Sequence, residues 1–89
     1  MQDATFLVEH YLPGRRLAEL EVLVREIQAA ETIRVLQTTV LPEDESVLCV
    51  IAAPSERAVR EAYAHAGIHF DRISTAVAHT NPKGDSNVD

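Results

Sequence analysis

Tryptophan is absent, methionine and cysteine occur once each, and two tyrosines with two phenylalanines supply all the aromatics of this 89-residue chain. A lone Cys49 cannot close an internal disulfide, and there is no CxxC pair for a redox centre or a thiolate-rich zinc site. Its place between Leu48 and Val50 points to burial in a core strand rather than to an activated nucleophile. Basic residues are few as well. Eight Lys and Arg against fourteen Asp and Glu leave a net charge of -6, the wrong sign for gripping a phosphate backbone, so nucleic acid is not an expected partner. The longest basic run, Arg15-Arg16, reads as the solvated start of a helix. No apolar run approaches the roughly 18 residues of a membrane span. Met1-Gln2-Asp3-Ala4 lacks the basic and then apolar regions of an export signal, which makes the cytoplasm the default location. Neither a Gly-rich phosphate loop nor a GxSxG elbow occurs, so nucleotide binding and triad hydrolysis lose their usual support.

What is present reads as one α+β domain over residues 1–79 and a polar, mobile tail over residues 80–89, which carries Pro82 and Gly84. Thr5 to Leu12 alternates as a strand, with Phe6, Val8 and Leu12 on the more apolar parity and Leu7, Glu9 and Tyr11 on the other. Pro13-Gly14 ends it. Leu17, Leu20, Leu23, Val24 and Ile27 recur at three and four residues, predicting an amphipathic helix to about Glu31. Ile33 to Leu41 and Ser46 to Ala53 form a hairpin about Pro42-Glu43-Asp44-Glu45. Ser55 caps a second helix with Val59, Ala62, Tyr63 and Ala66 as its buried stripe, Gly67 closes it, and Arg72 to His79 is the last strand.

The order strand, helix, strand, strand, helix, strand is that of ferredoxin-like folds, a four-stranded antiparallel-type sheet with two helices on one face. In this reading the first and third strands are central and parallel, and the fourth runs antiparallel beside the first. The other face, with Leu7, Glu9, Tyr11, Ser74, Ala76 and Ala78, is bare, and a small monomer seldom leaves such a surface wet. A homodimer joined face to face, resembling a dimeric α+β barrel, covers it.

Glu9 is the sharpest chemical candidate. Trapped inside a dimer, a carboxylate needs a cation, a metal or a shifted pKa, and the plainer reading pairs it with Arg72 or Arg34. His10 has the opposite parity; it is either a histidine at the sheet rim, bonded to a helix terminus, or a metal ligand. His79, near Thr5, is about 15 Å from His10 at roughly 3.3 Å per residue, too far to share an ion within a subunit. His69 falls at the same end as His10, so Glu9, His10 and His69 make a possible site. His65 and His69 have the i, i+4 spacing of paired zinc ligands, but Gly67 between them breaks the helical register. Cys49 is a core residue first and a metal ligand second.

The segments Phe6-Leu7-Val8-Glu9-His10-Tyr11-Leu12-Pro13-Gly14, Leu41-Pro42-Glu43-Asp44-Glu45-Ser46, Leu48-Cys49-Val50 with Ala53-Pro54-Ser55, Ala58-Val59-Arg60, and Ala66-Gly67-Ile68-His69-Phe70-Asp71-Arg72-Ile73 resemble a family of small bacterial domains of unknown function that includes a nickel-binding protein. The likeness runs from about Phe6 to His79. It implies a ferredoxin-like fold, dimers and, for at least one member, a bound nickel ion. Glu9, His10 and Cys49 occupy matching positions. Departures are Ala52, where family members commonly have Glu, His69, often Pro, and Ala62 or Tyr63, where the position is often polar. An acidic group is thus missing, and His69 is available as a replacement ligand. The resemblance therefore implies a homodimer that binds nickel or another divalent transition metal through Glu9 and His10, with His69 or Cys49 assisting; imidazole and carboxylate suit nickel. Fold-level analogy supplies an alternative, a cofactor-free isomerase, cyclase or oxygenase acting on a small organic molecule with Glu9 as general base and Tyr11 or His10 orienting the substrate. A third is a plain interaction module whose bare face only dimerises or docks a partner.

Overall fold

The computed structural model describes residues 3–14 and 16–77. Along the chain run β1 (Ala4–Tyr11), α1 (Leu17–Gln28), β2 (Arg34–Leu41), a 3-10 turn (Pro42–Asp44), β3 (Ser46–Ala53), α2 (Glu56–Ala66) and β4 (Arg72–Ala76). The strands form one sheet in the order β2-β3-β1-β4, the ferredoxin-like arrangement. Arg15, Ala78, His79 and the tail expected over residues 80–89 lie outside the described residues.

One expectation is corrected. β1 and β3 are central but antiparallel, with Val8 opposite Cys49 and His10 opposite Val47. The connections dictate this direction: the α1 crossover returns β2 parallel to β1, and the hairpin then reverses the chain into β3. A strand inserted between two parallel strands, after one reversal, opposes both, as the β1–β3 and β2–β3 pairings show. The boundaries shift for equally plain reasons. α1 stops at Gln28 instead of continuing to Glu31, and Ile33 beyond it is drawn into the core at 7% exposure. β4 ends at Ala76, opposite Thr5, because β1 has little strand left to pair with.

Local chemistry agrees with the element ends. Glu19 accepts the Arg16 backbone N–H at the start of α1, and Ser55 Oγ accepts from Ala58 N at 3.1 Å at the start of α2. Gly67 ends α2 at φ 73, the left-handed conformation that glycine adopts without a Cβ penalty. Phe6, Val8, Val47, Cys49 and Ile51 on the sheet pack against Leu20 and Ile27 of α1 and Val59 and Tyr63 of α2, so both helices cover one face. Ala66, expected in the buried stripe, is exposed.

On the opposite face Leu7 lies between Val50 and Ser74, and Glu9 between Leu48 and Arg72. Leu7, Leu48 and Val50 are only partly buried there, and Tyr11 is exposed. The helices thus satisfy one face of the sheet and leave a mixed, largely apolar one uncovered.

Candidate functional site

β1 sorts the candidate residues by parity, because successive side chains leave a strand on opposite sides. His10 follows Phe6 and Val8 onto the helix-covered face and is 1% exposed. It is not at the rim. Its Nδ1 lies 2.8 Å from the Val47 carbonyl oxygen and its Nε2 lies 3.0 Å from the Tyr63 hydroxyl. A carbonyl only accepts, so Nδ1 carries the proton, Nε2 accepts, and the Tyr63 hydroxyl donates to it. The two rings stack at 5.5 Å. Burial pushes the His10 pKa down, against an opposing pull from the Val47 bond and the Asp71 charge, and keeps the ring neutral.

Cys49 joins the same chain of contacts. It is fully buried, its Sγ lies 3.8 Å from Thr38 Oγ1, and it meets the Tyr63 hydroxyl. Burial raises the Cys49 thiol above its usual range, with the Thr38 and Tyr63 bonds working the other way, and raises Tyr63 beyond any physiological pH. A raised thiol is a protonated one, poor as nucleophile or metal ligand. His10, Tyr63 and Cys49, with the half-buried Thr38 at their end, thus form a polar strip that ties β1, α2, β3 and β2 together, and every buried side-chain N and O atom among the described residues has a partner.

Glu9 projects from the other face. Its side chain is 38% exposed and its carboxylate stands 3.8 Å from Arg72 on the neighbouring strand, one of the two partners, Arg72 or Arg34, that the plainer sequence reading offers. An acid–base role for Glu9 presupposes burial, and the single chain does not enclose it. Beside it, past the C-terminal end of α2, lies a second group. Asp71 donates its N–H to the Glu9 carbonyl at 2.8 Å and takes the Tyr11 N–H on Oδ2, while Oδ1 stands 3.3 Å from His69 Nε2. The Tyr11 bond, more than the nearby His69, holds the Asp71 carboxyl below its ordinary pKa. His69 is 75% exposed.

The four candidate residues therefore occupy three environments: His10 and Cys49 inside, Glu9 on the open face, His69 at the exposed end of the sheet. Among the described residues no three His, Cys, Asp or Glu side chains converge as a metal cluster. His65 stands apart from all of them, on the wall of a cleft of about 950 Å³ between α1 and α2. Sequence reasoning placed Tyr63 in the core stripe without its hydroxyl contact to His10, and passed over Asp71 as a partner of His69. The available signals were a polar head within an apolar helical stripe and an acid two residues after an exposed histidine.

Residues 6–75 match the family described as nickel responsive protein SCO4226-like. The crystal structure of SCO4226 from Streptomyces coelicolor A3(2) is similar in fold, with a TM-score of 0.74 and 22% identity over 86% of this chain and 100% of that one. No curated protein matches the chain. A match over most of the described residues establishes that the chain belongs to the SCO4226-like family of nickel responsive proteins.

Proposed function

We propose that this protein binds a divalent transition metal, nickel before others, and works as a homodimer in the reducing cytoplasm, where a free Cys49 stays a thiol. The observation that carries the reading is membership of a nickel responsive family over residues 6–75. Donor chemistry supports it at the surface: Glu9 offers a carboxylate and His69 an imidazole, both open to solvent, and both donor types suit nickel. His10 and Cys49 stay in the core, since both His10 nitrogens are occupied and the Cys49 thiol holds its proton.

One subunit falls short of a full coordination set, because no three donors converge among the described residues. Water and a second copy complete it. The open face, where Leu7, Leu48, Val50 and Tyr11 remain partly or wholly exposed, is the surface on which that copy packs; covering apolar area of this kind is the usual driving force for association.

The test is the metal content of untagged protein purified without chelators, measured by elemental mass spectrometry together with its mass in solution. Near-stoichiometric nickel in a dimer, lost in His69→Ala and Glu9→Gln, is the expected result. A metal-free monomer that takes up no added nickel overturns the reading.

A further inference from the structure

We infer that the cleft between α1 and α2 binds a linear aliphatic polyamine, an alkyl chain carrying ammonium groups at intervals. This site shares no residue with the nickel reading. The cleft measures about 950 Å³, within the size range of small-molecule sites. Ala58, Ala62 and Ala66 recur along α2 at four-residue spacing and line it together with Ala29 and Ala30 from the end of α1. Methyl side chains keep the gap open where longer ones would close it. Glu26 and Glu31 stand on the α1 side and Glu61 on the α2 side, all three exposed.

The sign of the ligand follows from where the acids stand. α1 ends at Gln28, and the C-terminal end of a helix is the negative pole of its dipole. Glu26 in the last turn and Glu31 just beyond it are therefore placed where the helix repels them, a cost that a bound cation reverses. Among the described residues neither glutamate has an ion-pair partner, and Arg25 in the same turn reaches neither. The Gln28 carbonyl receives no main-chain N–H there either and adds to the negative potential. The shape of the ligand follows from the spacing of the acids. Among the described residues no three such donors converge on a point, so the charges suit a ligand whose cations are spread out and not a single ion. The alanine row from Ala58 to Ala66 runs about 12 Å at roughly 1.5 Å per residue, and its methyl groups give methylene segments an apolar floor between the carboxylates. Glu61 already accepts from Arg57 Nε at 3.0 Å, which leaves most of the grip to Glu26 and Glu31. A protein partner fits less well, because it covers about 20–30 residues on each side and eleven line this cleft.

Spermidine is the probe, titrated at low salt into the metal-free full chain and followed by calorimetry and by amide shifts of the ¹⁵N-labelled protein. Saturable binding is expected, with the shifts gathered on Ala29, Ala30, Thr32, Ala58 and Ala62. The double variant Glu26→Gln/Glu31→Gln should bind about 10-fold more weakly, the scale of two exposed ion pairs. Glu43→Gln/Asp44→Asn removes the same two charges at the hairpin turn and should leave affinity within about twofold of the parent. Ala58→Leu fills the floor without changing charge and should also weaken binding. Equal losses in the two double variants reduce the effect to the overall charge of the chain and overturn the inference. Absence of binding, shifts centred outside the cleft, or an Ala58→Leu protein that is folded and binds like the parent each overturn it as well.

Discussion

Replacing Tyr63 with Phe removes one hydroxyl from the buried strip and leaves nearly all the packing in place. The ring keeps its edge contact with Phe70 at 5.3 Å and its stack on His10 at 5.5 Å. What disappears is the 3.0 Å hydrogen bond to His10 Nε2, at a residue 1% exposed and out of reach of water, together with the weaker thiol contact from Cys49. An orphaned buried acceptor costs about 1–3 kcal/mol. Because the phenol no longer has to be desolvated either, the lower part of that range applies, about 1–2 kcal/mol. In a domain of this size such a loss lowers the melting temperature by about 4–8 °C for each kcal/mol. Urea denaturation followed by circular dichroism at neutral pH measures it. The decisive comparison is a double-mutant cycle with His10→Asn, which keeps an N–H for the Val47 carbonyl but has no counterpart of Nε2. In that background the extra cost of Tyr63→Phe falls to the small remainder set by the Cys49 contact if the bond to His10 is the main cause. A full-sized loss in both backgrounds, or none in either, refutes the hydrogen-bond account.

The same buried histidine sets a pH dependence whose sign follows from its lowered pKa. The unfolded ring binds a proton near the ordinary value of about 6.5 and the folded ring only below it. The unfolded state therefore holds more protons in that window, so stability is full above about pH 6.5 and declines as pH falls toward the folded value. The urea midpoint should be lower at pH 5.5 than at about pH 7.5, and His10→Asn should flatten the difference; an unchanged midpoint in the wild type sinks the assignment. Gly67→Ala tests the cap of α2: a Cβ there meets nothing within 4 Å, so only the backbone at φ +73 resists it. The expected loss is about 1 kcal/mol, with Gly67→Asn losing less because asparagine tolerates the left-handed region. An alanine variant as stable as the parent contradicts the left-handed cap.

Much of the fold is legible along the chain because its signals are local. Alternation in Thr5–Leu12, the three-and-four spacing from Leu17 to Ile27, Ser55 as a cap and Gly67 as a stop each act within a few residues, and the structure has β3 over Ser46–Ala53 and α2 from Glu56. The direction of β3 relative to β1 was also derivable, since one crossover and one hairpin settle it. Where the helix gives way to Ile33, and where β4 stops, depend on burial and on the length of a distant partner strand, and no local window contains either.

The candidate site divides in the same way. Residue types and parity alone determined that Glu9 and His10 leave β1 on opposite faces, that Cys49 lies in a core strand, and that a -6 chain is a poor match for nucleic acid. Only the tertiary structure decided what each side chain meets. His10 and Tyr63 are 53 residues apart, Tyr11 and Asp71 60 apart. Such pairs form when a helix settles on a sheet and a strand docks at its edge, and which nitrogen of the His10 ring carries its proton is then set by the acceptor placed opposite it.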